Sequence, residues 1–563
     1  MKKDNSHSEV GGRYAKFALA ILVVVYVFNF IDRQILTILA EEIQADVGIS
    51  DSGIGFLYGP AFAVFYSIVG IPLGRLADVW TRKNLISIGL ATWSFFTVLS
   101  GTARSFTALA AFRFGVGIGE SSASPSAYSL LSDYFSPRVR TTVLAIYSSG
   151  VYIGAGIGLF LGGTIVEYWN ATYPDPSLAP LGIKGWQAAF IAVGLPGLLL
   201  ALVTCQIKEP IRGLSDGIET PKNPTPFKEM FKEMIGLTPF SLIGQENAGK
   251  NILINLVIGF LIFSLCYQLV ILTGDIAQWI AFGLGCYFIT CWIQSLRLRD
   301  PAIFSVIFRS KAHLLCLIGF PFIAFVQYAH GAFGPTFYLR NHGVDIGEVG
   351  IMLGIFTAVG GLLGIVTGGL LGDKLRKTYP NGRLYIISVV TVLIAPSTLL
   401  YIYVENLYHS YFWNFMFSFI GPMWLGLGVS TIADLVLPRM RAVAGAFFIL
   451  MLSMLGMALG PYLTGEVSDV LIAQGVDDGE SIKTALALCT CVLVITIGCL
   501  LTACRYLPEE EKNKIEIARS YGEPTSACLL TFPKKKYEKP GVDVPWLLEL
   551  KSPAQKDNFL CHC

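Results

Sequence analysis

The sequence predicts an all-α protein that crosses the membrane many times and is built from two similar helical domains. Hydrophobic residues make up 53% of the 563 residues and charged residues only 14%, whereas a soluble protein has roughly a quarter charged residues. The apolar residues gather into long runs, and about 20 of them suffice for one membrane helix. Two motifs also recur in the same order in each half of the chain, which indicates a duplication.

The apolar runs predict fourteen membrane spans. Six precede a polar linker, two follow it directly, and six complete the chain. The predicted spans are 15–39, 52–73, 84–103, 106–132, 141–166, 186–207, 251–272, 275–296, 312–338, 347–371, 384–404, 411–437, 441–463 and 485–506.

Both repeated motifs are short charged segments between apolar runs. Asp133 to Arg140 reads D-x-x-x-P-R-x-R, and Asp434 to Arg441 has the same pattern. The segment from Gly74 to Lys83 has a shorter copy at Gly369 to Lys377. Transporters built from such repeats place the substrate site near the membrane midplane, between the two copies.

The distribution of Lys and Arg gives the predicted orientation. With the N-terminus in the cytoplasm, the predicted outer loops hold only Arg104, Lys184, Arg340 and Lys483, as the positive-inside rule requires. A single span at 251–296 would turn every later basic loop outward, so two spans are predicted there, with a re-entrant hairpin as the alternative. We expect a plasma (inner) membrane protein with both termini in the cytoplasm.

The spans divide the chain into six parts. These are an N-terminal tail at 1–13, six spans at 14–207, a linker at 208–250, an inserted hairpin at 251–298, six further spans at 299–506 and a C-terminal tail at 507–563. An amphipathic helix is expected around Phe227–Met234 in the linker.

Neither a cofactor nor an enzyme activity is indicated. The terminal Cys561-His562-Cys563 lacks the further ligands of a metal site. The sequence has no nucleophile elbow, no phosphate-binding loop and no nucleic-acid footprint. The expected partners are therefore a small-molecule or lipid substrate, protons and membrane lipids, and the partner of the inserted hairpin is unknown.

Charged residues inside predicted spans are the candidate site. Asp32 lies in the first span, and Arg113 and Glu120 lie in the fourth. Intramembrane charges are costly, and by default they indicate function. At about 1.5 Å per residue, Asp32 and Arg113 reach similar depths, which predicts an ion pair with Glu120 about 10 Å deeper on the same face. We predict that the three residues bind substrate and protons. The alternative is a pair that merely tethers two helices, and for Arg33 a helix-packing role is expected.

The repeated motifs are expected to gate the cytoplasmic side. Their charges lie at helix ends, too near water to bind a midplane substrate, and the spacing that includes Asp is kept in both halves. Retention of basic residues inside is the simpler alternative. The predicted gate consists of Asp78, Arg82, Lys83, Asp133, Arg138, Arg140, Asp373, Arg376, Asp434 and Arg439.

The ninth span combines helix breakers and aromatic residues. Its stretch from His330 to Tyr338 includes Pro335, and breakers at membrane depth are typical of helices that line a cavity. His330, Pro335 and Tyr338 are therefore candidate lining residues. A hydrogen-bonded wall position is favoured over proton transfer for His330.

With these residues identified, the chain resembles the major facilitator superfamily, and within it the Spinster-like branch. The superfamily resemblance rests on Gly74 to Lys83 and its copy. The branch resemblance rests on Asn29-Phe-Ile-Asp32-Arg33, on Arg113-Phe-Gly-Val-Gly-Ile-Gly-Glu120 and on Gly334 to Gly343. The resemblance implies two six-helix bundles related by a pseudo-two-fold axis and alternating access. It also implies amphiphilic lipid substrates, with Asp32, Arg113 and Glu120 at the family's proposed coupling positions.

The leading prediction is a secondary transporter, coupled to protons, that moves an amphiphilic or anionic molecule such as a lysolipid or a sphingolipid-like compound. A proton-coupled symporter of small hydrophilic organic anions is one alternative. A non-transporting membrane sensor on the same fold is another. Protons are favoured over sodium because no ring of oxygen ligands accompanies Asp32 and Glu120.

Overall fold

The computed structural model describes residues 10–213, 215, 223–245 and 247–521, and in these residues the regular structure is helical. The terminal tails beyond them, including Cys561 to Cys563, lie outside the described residues. The first half of the chain forms α1 Arg13–Ile38, α2 Ala40–Val47, α3 Asp51–Tyr58, α4 Pro60–Val79, α5 Arg82–Ser100, α6 Phe106–Glu120, α7 Ala123–Tyr134, α8 Pro137–Ser148, α9 Gly150–Thr172 and α10 Gly185–Thr204.

The described residues of the linker contain one α-helix, and those of the inserted hairpin contain two. They are α11 Pro226–Gly236, α12 Ala248–Thr273 and α13 Ile276–Arg299. The expected linker helix around Phe227–Met234 is confirmed. In α12, the apolar side chains are mostly exposed, as suits a helix that faces lipid.

The second half repeats the pattern of long helices broken by short irregular turns. It forms α14 Pro301–Phe308, α15 Lys311–His342, α16 Ile346–Ile355, α17 Gly361–Arg376, α18 Gly382–Tyr403, α19 Leu407–Ile420, α20 Leu425–Asp434, α21 Arg441–Met451, α22 Gly460–Ala473, α23 Asp478–Thr490 and α24 Leu493–Ser520. Two π-helical turns, Phe356–Gly360 and Leu452–Met457, join α16 to α17 and α21 to α22.

The chain is a multi-pass integral membrane protein. By length and composition, twelve helices in the described part are apolar enough to cross a membrane. These twelve leave out α5 and the pair α6 and α7, which coincide with the predicted spans 84–103 and 106–132. Arg113, Glu120 and Asp133 make the latter pair more polar. The count of fourteen spans therefore stays a prediction.

Glycine lets the two halves approach backbone to backbone along α9 and α16. A Cβ atom on Gly156 would lie 2.4 Å from the carbonyl oxygen of Gly354, and one on Gly163 would lie 2.5 Å from that of Ile346. Any larger residue would push the helices apart. A second close approach joins α3 to α22, where a Cβ on Gly55 would lie 2.5 Å from the carbonyl oxygen of Pro461.

Helix α24 continues past the predicted end of the last span at 506. It runs to Ser520, so the first residues assigned to the tail are helical. Glu510 on this extension accepts hydrogen bonds from the backbone N–H groups of Lys311 (2.9 Å) and Ala312 (2.9 Å). A carboxylate at a helix N-terminus satisfies donors that the helix leaves unpaired, so the extension is fastened to the start of α15.

Candidate functional site

Four charged side chains lie together in the interior of the first half. Asp32 and Arg33 come from α1, and Arg113 and Glu120 come from α6. Their relative exposures are 0%, 6%, 1% and 1%. Both helices are largely apolar, and the neighbouring helices shield these four charged side chains from solvent.

The predicted ion pair between the Asp32 and Arg113 side chains does not form. Arg33 pairs with Glu120 instead, with 2.6 Å between Nη2 and Oε2. Arg113 donates to two backbone carbonyl oxygens, those of Asp32 (3.1 Å) and Leu57 (3.4 Å). The estimate from the rise per residue considered depth along the helix but not the direction in which each side chain points. Successive helical residues point about 100° apart, so Asp32 and Arg33 cannot both face α6.

Asp32 faces Trp93 and Thr97 of α5 instead. Neither of its carboxylate oxygens has a hydrogen-bond partner among the described residues. An ionised carboxylate in that position carries a large desolvation cost.

Aromatic rings surround Arg33 and were not predicted. Its guanidinium carbon lies 4.2 Å from the ring centre of Phe62, 4.7 Å from Phe30 and 5.3 Å from Tyr66. Phe62 also lies 5.6 Å from the guanidinium carbon of Arg113. Desolvated cation–π contacts contribute about 2 kcal/mol or more. These rings come from two helices, so only the Phe30 to Arg33 spacing was visible in the sequence.

The charged cluster lies beside the seam, the boundary between the two halves. Next to Arg33, Gln34 donates to the carbonyl oxygen of Gly331 in α15 (3.2 Å) and accepts from Tyr58 (3.2 Å). A movement of α1 therefore changes a hydrogen bond to the second half.

The predicted lining residues of α15 lie apart from the charged cluster. His330 is buried and contacts Tyr401 through Nδ1 and Thr490 through Nε2 (3.3 Å). Tyr338 accepts a hydrogen bond from Ser410 (3.0 Å). Pro335 is buried within the same unbroken helix. The contacts of His330 and Tyr338 therefore lie within the second half, in keeping with the wall position favoured for His330.

The two loop motifs form equivalent ion pairs in the two halves. Arg82, at the start of α5, pairs with Asp133, and Arg383, at the start of α18, pairs with Asp434. Each pair spans 51 residues of sequence. Arg383 was missed because the motif alignment matched Arg82 to Arg376. The number of positions that separates Asp133 from Asp434 also separates Arg82 from Arg383, so this spacing would have identified Arg383.

The remaining predicted gate residues bind within their own half or to nearby segments. Arg376 pairs with Glu511, Asp373 lies 3.4 Å from Arg383, and Arg439 pairs with Asp300 at 2.8 Å. Burial raises the pKa of Asp300, but the stronger combined effect of Arg439 and nearby backbone N–H groups lowers it overall. Lys83 donates hydrogen bonds to Glu209 and to the carbonyl oxygen of Cys205, and Arg140 donates to Ser132 and Ser215. Asp78 and Arg138 are exposed.

At the opposite end of the bundle, polar contacts cross the seam. Arg340 of α15 donates to Asp51 of α3 (2.8 and 2.9 Å) and to Glu41 of α2 (2.9 Å). Asp469 of α22 accepts from the backbone N–H groups of Asp51 (3.0 Å) and Ser52 (2.8 Å). Burial raises the pKa of Glu41, and Arg340 opposes that shift. We call this the Arg340 end, and we call the opposite end, which carries the repeated loops, the motif end. The sequence indicated Arg340 only as a loop cation.

A family model decides the classification, since that of the major facilitator superfamily matches residues 22–461. The chain belongs to this superfamily. A Mycolicibacterium smegmatis "MFS-type efflux pump" is 26% identical over 83% of this chain and 88% of its own length. Drosophila melanogaster "Protein spinster" is 24% identical over 82% of this chain and 63% of its own length.

A solved structure supports membership in the Spinster-like branch of the superfamily. A bacterial homolog of the human lysosomal transporter Spinster, in an inward-facing and unoccupied conformation, is 25% identical. It superposes with a TM-score of 0.65 over 88% of this chain and 98% of its own chain. Together with the spinster relatives, this match places the protein in the Spinster-like branch and confirms the resemblance identified from the sequence.

Proposed function

We propose that the protein is a proton-coupled secondary transporter of an amphiphilic or anionic small molecule, working by alternating access. The observation that carries this proposal is the buried cluster of two arginines and two carboxylates beside the seam. Several of its polar atoms have no partner among the described residues: Asp32 Oδ1 and Oδ2, Arg33 Nε, Arg113 Nη2 and Glu120 Oε1.

Proton binding in this cluster frees a positive charge. A proton on Glu120 removes the charge that holds Arg33, and a proton on Asp32 removes an unpaired buried anion. Arginine does not deprotonate under these conditions, so Arg33 and Arg113 then carry net positive charge beside the seam. An anionic group of the substrate is the natural partner for that charge.

The aromatic surroundings of Arg33 favour an amphiphile. Phe30, Phe62 and Tyr66 offer apolar area next to the cation, which suits a molecule with an anionic head and a hydrocarbon body. A small hydrophilic anion would leave that area unused. The M. smegmatis relative is named an efflux pump, and this supports transport without fixing the substrate.

The unequal contacts at the two ends support alternating access. Polar contacts cross the seam at the Arg340 end, whereas the motif ion pairs lie within each half. With the N-terminus in the cytoplasm and fourteen spans, this arrangement is an inward-facing state. The likeness to an inward-facing Spinster homolog supports that assignment.

The test is flux of a fluorescent lysolipid in proteoliposomes, with and without an imposed pH gradient. Gradient-dependent flux is expected in wild type, with at least a tenfold loss in Glu120→Gln. Glu348→Gln is the matched control, because Glu348 is an exposed carboxylate at the start of α16. Absence of lysolipid flux from folded wild type would contradict the proposed substrate. Equal flux in Glu120→Gln and wild type would contradict the coupling role.

A further inference from the structure

Helix α13 of the inserted hairpin lies in the seam and touches both halves. A Cβ atom on Gly285 would lie 2.7 Å from the methyl carbon of Met454 in the second half and 3.4 Å from Val64 in the first. A side chain at this position would require the end of Met454 to move, so α13 packs closely against this turn. The helix packs against both α4 and the π-helical turn that contains Met454.

Contacts with the second half are directional. Trp292 stacks on Phe447 with ring centres 5.8 Å apart, and Trp279 meets the ring of Tyr462 edge-on at 5.5 Å. Asp300, at the end of α13, also pairs with Arg439 of the same half, but this pair is exposed and contributes little. Interlocked aromatic rings resist sliding because each ring fits a shaped site.

Contacts with the first half are of a different kind. On α4 they include the aliphatic side chain of Val64. The linker helix α11 adds exposed ion pairs, Glu229 with Arg75 (3.1 Å) and Glu233 with Arg299 (3.2 Å). Exposed pairs contribute little, and aliphatic contacts have no directional preference.

Helix α12 is held to α13 by a buried polar contact. Asn255 is fully buried, donates to Gln294 (2.7 Å) and accepts from the hydroxyl of Tyr287 (2.7 Å). The hairpin is therefore one unit, with α13 in the seam and α12 outside it.

We propose that the hairpin is a sliding seal: it is fastened to the second half, moves with it, and closes one flank of the cleft by sliding on α4. This inference rests on the proposed alternating access. A sealed flank directs a membrane-borne substrate to the opposite side of the cleft, so the hairpin restricts the route by which an amphiphile reaches Arg33.

Two cysteine pairs test the seal, each introduced after replacement of the native cysteines. Gly285→Cys with Met454→Cys is designed to join α13 to the half it is proposed to follow, and formation of the disulfide is verified by mass spectrometry. Gly285→Cys with Val64→Cys joins α13 to the half it is proposed to slide on. The readout is hydrogen exchange of residues 40–52 at the Arg340 end, with lysolipid flux measured in parallel. Each pair is compared with its own reduced form, which controls for folding.

Oxidation of the Val64 pair is expected to slow exchange of 40–52 at least tenfold and to stop transport, whereas oxidation of the Met454 pair leaves both unchanged. The reverse pattern would show that the hairpin follows the first half. An effect of both pairs, or of neither, would also overturn the proposal. Absence of lysolipid flux in the reduced proteins, with the expected exchange pattern kept, would contradict the substrate proposal alone.

Discussion

Replacing Arg340 with glutamine should open the end of the bundle at which contacts cross the seam. The change removes two hydrogen bonds to Asp51, one to Glu41 and one to Gln44, and it leaves Asp51, whose side chain is 1% exposed, without its cation. Breaking a buried pair on one side costs about 3–5 kcal/mol. Because Glu41 is one-third exposed and Asp51 keeps Ser468 (2.6 Å), we take the lower value. About 3 kcal/mol corresponds to a shift of roughly a hundredfold in the equilibrium between closed and open forms.

Hydrogen exchange of residues 40–52 measures that shift. Arg340→Gln should speed exchange there by one to two orders of magnitude and leave the core of α10 unchanged. Lys483→Gln is the matched control, because Lys483 pairs with Glu480 three residues away on the same helix (3.0 Å). The reasoning is refuted if exchange in Arg340→Gln matches the Lys483 control while thermal stability is kept.

Three further predictions concern the cluster, the seam and the motifs. Arg33→Lys keeps the charge but loses the planar group that lies among Phe30, Phe62 and Tyr66, so gradient-driven flux should fall at least tenfold; flux equal to wild type would show that charge alone suffices. Gly156→Val forces α9 from α16 and should abolish transport, whereas Gly369→Val, at a position with open space, should not; equal effects would contradict the close-packed seam. Arg82→Gln should lower thermal stability more than Arg383→Gln, because the Arg82 side chain is 0% exposed and that of Arg383 is 19% exposed; the opposite order of melting temperatures would contradict this account.

The sequence predicted the helical membrane fold and the duplication because both depend on local patterns. Apolar runs give helices in lipid, and the repeated Asp133 and Asp434 motifs mark equivalent loops. The inserted hairpin at 251–298 was also visible as two apolar runs around a short turn. The helical extension of α24 was not, because the span prediction followed apolar runs and the residues of the extension are mostly polar.

The site was predicted in composition but not in pairing. Depth follows from the rise per residue, so Asp32, Arg113 and Glu120 were placed at consistent levels. Which side chain faces which depends on helix rotation and tilt, which packing determines. Arg33 was therefore assigned to packing although it pairs with Glu120. The Arg340 contacts were missed for a related reason, since they join residues about 300 positions apart.

The most direct test of the account is proton movement driven by substrate. A pH-sensitive dye trapped in proteoliposomes reports it when lysolipid is added without an imposed gradient. Wild type and Glu348→Gln should move protons in step with substrate, and Glu120→Gln should not. Proton movement that persists unchanged in Glu120→Gln would contradict the claim that the buried cluster couples protons to transport.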